Sequence, residues 1–258
     1  MYIDLGQMSK AEDFMRRSYA MCENTFGAQH KNTANSMHRL GRLYMFRGRY
    51  KEAEVELLRA LPIFEKSAVS GTSLAFLQSS LSELYRRMGR YEEAESWSRR
   101  ALENADRFSG QNDAWVASYL VDLGAVLVQT GKLAEAERLL LRGQERMLEA
   151  HDSEHRFMGD GYQFLGTLYD KQGRRADAEK QFQHALQVRE RTGVPEHLEI
   201  AESLQALGVL YKELGRFDAA EPLLMLLAIR NKVLGPDHPD SKATSSTLAT
   251  MLRKSRGA

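Results

Sequence analysis

Apolar side chains along this chain recur on helical faces, and the faces themselves recur every 41 or 42 residues. Leu falls at 40, 81, 123, 165 and 207. The residue after each is small: Gly41, Ser82, Gly124, Gly166 and Gly208. Three positions further on comes a large side chain: Tyr44, Tyr85, Leu127, Tyr169 and Tyr211. This spacing predicts a helix with Leu and Tyr on one face and a small residue where a partner helix crosses. The stripe reads as core packing rather than as a cofactor site.

Eight residues after each Leu stands Gly, at 48, 89, 131, 173 and 215, with a sixth copy at Gly6. Each is followed after five residues by Ala and after six by Glu: Glu12, Glu54, Glu95, Glu137, Glu179 and Glu221. A helix C-terminus needs a left-handed residue, which Gly supplies most cheaply. A second helix then begins. Four residues beyond its Ala lies a larger side chain (Met15, Leu57, Leu140, Phe182, Leu224), with Ser98 as the exception. Three further on lies a small one (Ser18, Ala60, Ala101, Gly143, Ala185), with Leu227 as the exception. The repeated Glu falls early in this helix and is read as favoured by the helix dipole.

A fixed period of this size means stacked supersecondary units. Leu-Gly-x-x-Tyr, then Gly, Ala, a large residue and Ala resembles the tetratricopeptide signature, in a unit about eight residues longer than usual. The Leu234–Asp240 linker (Leu-Gly-Pro-Asp-His-Pro-Asp), together with Tyr211, Glu221-Pro222-Leu223-Leu224 and Ala228–Leu234, is similar to the kinesin-light-chain-type subfamily. The resemblance spans essentially the whole chain. It implies an all-α fold, a right-handed α-solenoid of antiparallel helix pairs forming a tetratricopeptide superhelix.

Taken in order, residues 1–258 form a single solenoid. Residues 1–27 are a partial repeat, with 1–5 the last turn of a helix begun upstream, as in a fragment of a longer array. Full repeats follow at about 32–70, 72–110, 112–150, 154–193 and 196–235, and a capping half-repeat at 239–254. Ala28–Asn32 corresponds to the Pro-Asp-His-Pro-Asp linker without its prolines. Pro222, early in its helix, costs little, whereas Pro62, deeper in, should kink its helix or loosen a turn.

Composition narrows the function. A formal net charge of +1 argues against bulk nucleic-acid binding. No apolar run reaches the roughly 18 residues of a membrane helix, and the N-terminus has no signal-peptide pattern. With Cys22 as the one cysteine, no intrachain disulfide can form. The expected location is the cytoplasm.

No catalytic constellation, phosphate-cradling loop or cofactor site is apparent, so the chain reads as a non-enzyme with no cofactor and no metal. His151 and His155, four apart near Asp152 and Glu154, read as a solvated linker. Cys22 reads as a buried, inert thiol.

Binding is expected on the face of each first helix opposite its core stripe, since solenoids bind along an extended concave surface. Helical spacing puts His38, Arg42, Met45 and Phe46 there in the first full repeat, then Ser79, Glu83, Arg86 and Arg87. Val121, Ala125, Val128 and Gln129 follow, then Gln163, Thr167, Asp170 and Lys171, and finally Gln205, Val209, Lys212 and Glu213. Arginines beside Met45 and Phe46 suit a peptide with acidic and apolar residues. The resemblance to kinesin-light-chain-type arrays implies the same. Those arrays often carry Asn before the first-helix Leu, where Arg39, Ser80, Asp122, Phe164 and Ala206 stand here. The expected function is a protein- or peptide-binding scaffold with no nucleic-acid or membrane partner. Two alternatives stay open: a ligand- or peptide-sensing regulatory domain of a larger protein, and a unit that self-associates through its open end repeats.

Overall fold

A computed structural model describes residues 5–66, 71–108, 114–149, 156–192 and 198–256, which form twelve helices and no strand. They are α1 (Leu5–Phe26), α2 (Lys31–Phe46), α3 (Tyr50–Lys66), α4 (Gly71–Arg87), α5 (Tyr91–Phe108), α6 (Ala114–Gln129), α7 (Leu133–Glu149), α8 (Arg156–Lys171), α9 (Arg175–Thr192), α10 (Leu198–Glu213), α11 (Glu221–Val233) and α12 (Pro239–Arg256). They fall into two compact units, Met1–Ala150 with α1 to α7 and His151–Ala258 with α8 to α12. Within each unit every helix packs on its neighbours in sequence, and α2/α3, α4/α5, α6/α7 and α8/α9 are the most intimate pairs.

The turn inside each pair follows from its glycine. At Gly48 φ is +71°. Its N–H donates to the Met45 carbonyl (3.1 Å), and the next N–H, of Arg49, donates to the Tyr44 carbonyl (2.9 Å). These two bonds close the helix in a Schellman motif and satisfy carbonyls that would otherwise be left open. Gly89, Gly173 and Gly215 repeat both bonds. Gly6 is different: it lies inside α1 and ends no helix.

The small residue after each Leu lies where the second helix crosses. A Cβ at Gly41 would sit 2.8 Å from Leu57 Cγ, and one at Gly208 2.4 Å from a Leu223 methyl. The departure at Ser98 has its reason here. The first helix of that pair carries Ser82 in place of Gly, and the smaller Ser98 makes room for it. Both are buried, their hydroxyls are 2.5 Å apart, and Ser82 also donates to the Ala94 carbonyl.

α11 shows a one-residue slip. The other second helices begin two residues after the glycine, but α11 begins at Glu221, six after Gly215. Pro222 is the second residue of α11, where its missing N–H costs no intrahelical bond; a helix begun sooner would place it deeper and lose one, so it favours the late onset. Leu223 therefore fills the crossing at Gly208, and Leu224, expected there, is 51% exposed. α3 runs as one helix through Pro62.

Of the six repeated Glu, Glu221 alone lies in the first turn of its helix, where the dipole favours it. Glu54, Glu95, Glu137 and Glu179 lie beyond the first turn, where Glu52, Glu92, Glu93, Glu135 and Asp177 sit instead. Glu54, Glu95 and Glu179 reach into the next repeat. Tyr85 Oη and Arg90 Nη1 each donate to Glu54 at 2.9 Å. Lys132 donates to Glu95 at 2.7 Å, and Tyr211 and Arg216 to Glu179 at 3.0 and 2.9 Å. Arg49 donates to Glu12 at 2.8 Å. One carboxylate thus ties each of these pairs to the next.

The Leu234–Asp240 linker works as a helix N-terminal cap. His238 Nδ1 accepts from the Asp240 N–H, and Ser241 donates to the Gly235 carbonyl. His30 and Thr33 make the same two bonds before α2, which bears out the correspondence between the two linkers despite the missing prolines.

Candidate functional site

In the first unit the first helices α2, α4 and α6 lie side by side, and polar contacts tie them together. His38 Nε2 on α2 is 2.8 Å from Ser80 Oγ on α4. Ser79 Oγ on α4 donates to Asp122 on α6 at 2.6 Å. These are the positions just before or near the repeated Leu, so the polar residues there join helix to helix.

A row of aromatic rings crosses the same three helices. The Phe76 ring on α4 is edge-on to His38 (5.0 Å between centroids) and to Trp115 on α6 (5.7 Å). The Arg42 guanidinium lies over Phe76 at 5.0 Å and over Phe46 at 6.0 Å. Trp115 is 46% and Phe46 39% exposed, so the two ends of the row reach solvent while Phe76 is half-buried. A cation held over exposed rings offers both an apolar platform and a positive charge.

Beside the row, Glu83 takes both neighbouring arginines. Arg86 Nη2 is 2.6 Å and Arg87 Nε 2.5 Å from its carboxylate. Burial pushes the Glu83 carboxyl up, but the two guanidinium groups outweigh it and hold it below the usual glutamate range. The trio still carries one net positive charge.

His38 is buried and outside the reach of a partner. Burial, with the Arg42 and Arg39 charges, lowers its pKa to about 3, so it is neutral at physiological pH. Met45, Val121 and Val128 are also buried. Val121 faces inwards because Gly143 of α7 leaves it room: a Cβ on Gly143 would sit 2.9 Å from its methyl. α6 is apolar on nearly all sides, so helical spacing alone could not tell its inner face from its outer one. Arg42, Phe46, Glu83, Arg86 and Arg87 remain accessible in this unit.

In the second unit Lys171, Gln205 and Lys212 are exposed, and Gln205 accepts from Arg230 of α11. Gln163 is buried, accepting from Ser203 (3.0 Å) and Arg189 (3.3 Å). His151 and His155 lie outside the described residues. Among the described residues no cluster of three His, Cys, Asp or Glu side chains could hold a metal. No described helix is long and apolar enough to cross a membrane. Cys22 is half-buried and accepts from Ser36 at 3.3 Å.

Sequence reading missed Phe76 and Trp115. Both lie nearer the helix start than the positions considered. Phe76 stands three residues before Ser79, and that helical step was the available signal.

None of the curated protein sequences compared matches this chain. Among solved structures, BtubC (BKLC) from P. vanneervenii is 21% identical, with a TM-score of 0.61 over 92% of this chain and 92% of that one. A putative kinesin light chain with nearly identical TPR-like repeats from Podosopora anserina is 22% identical, with a TM-score of 0.55 over 79% of this chain and 97% of that one. A Rap protein complexed with competence and sporulation factor is 12% identical, with a TM-score of 0.65 over 95% of this chain and 75% of that one. At these identities the likeness is one of fold. The family model Tetratricopeptide repeat matches residues 1–66, 73–149 and 158–226, so the chain belongs to the tetratricopeptide repeat family.

Proposed function

We propose that the chain is a non-enzymatic scaffold that holds a protein or peptide segment on the α2–α4–α6 face of its first unit. Tetratricopeptide folds generally serve protein–protein interaction. The observation that carries the reading is the row Phe46, Arg42, Phe76 and Trp115, where a cation lies among rings that are open at both ends. A segment with an aromatic or aliphatic residue gains burial against Trp115 or Phe46. An Asp or Glu beside it gains a charge-assisted hydrogen bond from Arg42 or from the Arg86/Arg87 pair. Segments of that composition are the favoured partners. The Rap structure, solved with competence and sporulation factor, supports the reading only as a precedent for a partner held by a similar fold.

The test is selection from a random peptide library on the wild-type chain and on the Arg42→Glu/Trp115→Ala variant. Wild type should enrich sequences pairing an acidic with an aromatic or aliphatic residue, and the variant should lose them. If no sequence is enriched, or the variant enriches the same set, this face is not the binding site.

A further inference from the structure

Helix α7 carries an outer stripe that α1, α3, α5 and α9 lack. Leu141 is 46% and Leu148 54% exposed, and their spacing of about two turns sets them on one face. At the Leu148 position the other four helices have Glu23, Glu65, Asp106 and Glu190. Beside the two leucines lie Arg138 and Arg142 in the first half of the stripe and Glu145 and Glu149 in the second, all exposed. These six residues line an open groove.

The charges are not explained within the helix. Among the described residues Arg138, Arg142 and Glu145 have no ion-pair partner. Glu149 stands in the last turn, where α3, α5 and α9 carry Lys66, Arg107 and Arg191. The helix dipole favours a cation there, so it does not account for Glu149.

We propose that this stripe pairs with the same stripe of a second copy of the chain, antiparallel, about a two-fold axis near Gln144. The stripe is basic then acidic along its length, and reversing one copy makes it complementary to the other. Arg142 then falls between the partner's Glu145 and the partner's Glu149, and Arg138 falls beside the partner's Glu149. Leu141 lies against the partner's Leu148, and the axis repeats every one of these contacts. An apolar seam flanked by opposite charges is the arrangement that paired helices use to fix partner and direction. Parallel pairing would set Arg on Arg and Glu on Glu, which is repulsive. Each copy uses the same patch, so the contact is isologous and closes at a dimer.

The test is mass by sedimentation from about 1 µM to about 1 mM, the range in which a single small interface dissociates. Wild type should rise from one protomer to two. Arg138→Glu/Arg142→Glu leaves only carboxylates along both stripes and should stay monomeric over the whole range. Arg138→Glu/Arg142→Glu/Glu145→Arg/Glu149→Arg reverses every charge but restores every antiparallel pair, and should dimerise again. All four positions are exposed, so folding is spared. A wild-type mass that stays at one protomer throughout overturns the proposal. So does an Arg138→Glu/Arg142→Glu variant that dimerises as wild type does, or a fourfold variant that stays monomeric.

Discussion

The Arg90 guanidinium lies 4.4 Å above the centre of the Tyr85 ring. Both side chains donate to Glu54 in the preceding repeat at 2.9 Å. The stack depends on the turn, because Arg90 N–H also bonds the Tyr85 carbonyl and so fixes the two residues side by side. Arg49 over Tyr44 (4.4 Å), Arg174 over Tyr169 (3.9 Å) and Arg216 over Tyr211 (4.5 Å) repeat it. The glycine therefore does two things: it ends one helix, and it aims a cation back over the last ring of that helix.

Removing the Tyr85 hydroxyl tests this tie. Burial and the Glu54 carboxylate push the Tyr85 phenol up to about 12, so it stays a donor at all ordinary pH. Tyr85→Phe should cost about 1 kcal/mol of stability. Glu54→Gln should cost a similar amount, and the double variant less than the sum, because the two share one bond. Denaturant midpoints of the four proteins check it, and full additivity would mean that the hydroxyl and carboxylate do not interact.

The Ser82 and Ser98 pair makes a second prediction. Ser98→Leu alone drives a large side chain into Ser82 and should destabilise by about 1–3 kcal/mol. Ser82→Gly alone removes a buried partner of Ser98 and should also destabilise. Together they restore the Gly-and-Leu crossing of the other pairs, as at Gly124 and Leu140. Thermal melts should therefore place Ser82→Gly/Ser98→Leu above either single variant.

His38 governs a pH window. Its folded pKa, about 3, lies below the ordinary 6.5 because burial and two nearby arginines disfavour the charged form. The unfolded chain therefore binds the proton first, so the stability from neutral His38 is complete above about 6.5 and falls as pH drops towards 3. The loss should approach ~1 kcal/mol per pH unit between these values. In His38→Gln, which keeps a polar group near Ser80, the fall in unfolding midpoint from pH 7 to pH 5 should be shallower. An equal slope in both proteins would show that another group titrates there. Glu12 and Glu95 act in a lower window. Burial raises their pKa values, but Arg49 and Arg16 at Glu12, and Lys132 and Arg99 at Glu95, outweigh it and hold both below the ordinary glutamate range. Their contribution is lost only as pH falls through that lowered range.

The repeat was legible because Leu40, Gly41, Tyr44 and Gly48 each meet a geometric need that one or two residue types satisfy. The site was less so. On α2 spacing placed Arg42 and Phe46 on an accessible face, but it put His38 and Met45 there too, and both are buried. On α6 every position from Val116 to Val128 except Asp122 is buried, and an all-apolar helix has no face to read. The pairing of Glu83 with two arginines, and of Glu54 with the following repeat, depends on side-chain reach across 3 to 36 residues. Periodicity carries no such information. The slip in α11 was signalled by Pro222, whose effect on helix onset outweighed the continuity of the repeat.

Arg189 in the second unit supports the last prediction. It is 2% exposed, a rare state for arginine. Its guanidinium donates to Asp160 (2.6 Å), Ser203 (2.8 Å) and the Glu199 carbonyl (2.7 Å), tying α8, α9 and α10 together. Its stem fills the space beside Gly159, where a Cβ would sit 2.9 Å from Arg189 Cγ. One period earlier the same positions are Met147 for Arg189, Ser118 for Asp160 and Val121 for Gln163, an apolar solution to the same packing problem. Removing Asp160 leaves the buried Arg189 guanidinium with only the more distant Glu202 carboxylate at 3.7 Å, so Asp160→Ser alone should destabilise by about 3 kcal/mol. Arg189→Met alone takes the guanidinium's hydrogen bonds from Asp160, Ser203 and the Glu199 carbonyl and should also destabilise. The triple variant Arg189→Met/Asp160→Ser/Gln163→Val copies the earlier repeat and should recover most of the loss, since an apolar replacement of a buried ion pair is often neutral or better. Unfolding midpoints of the three proteins decide it: a triple variant no more stable than Asp160→Ser would mean that this packing cannot accept the apolar set.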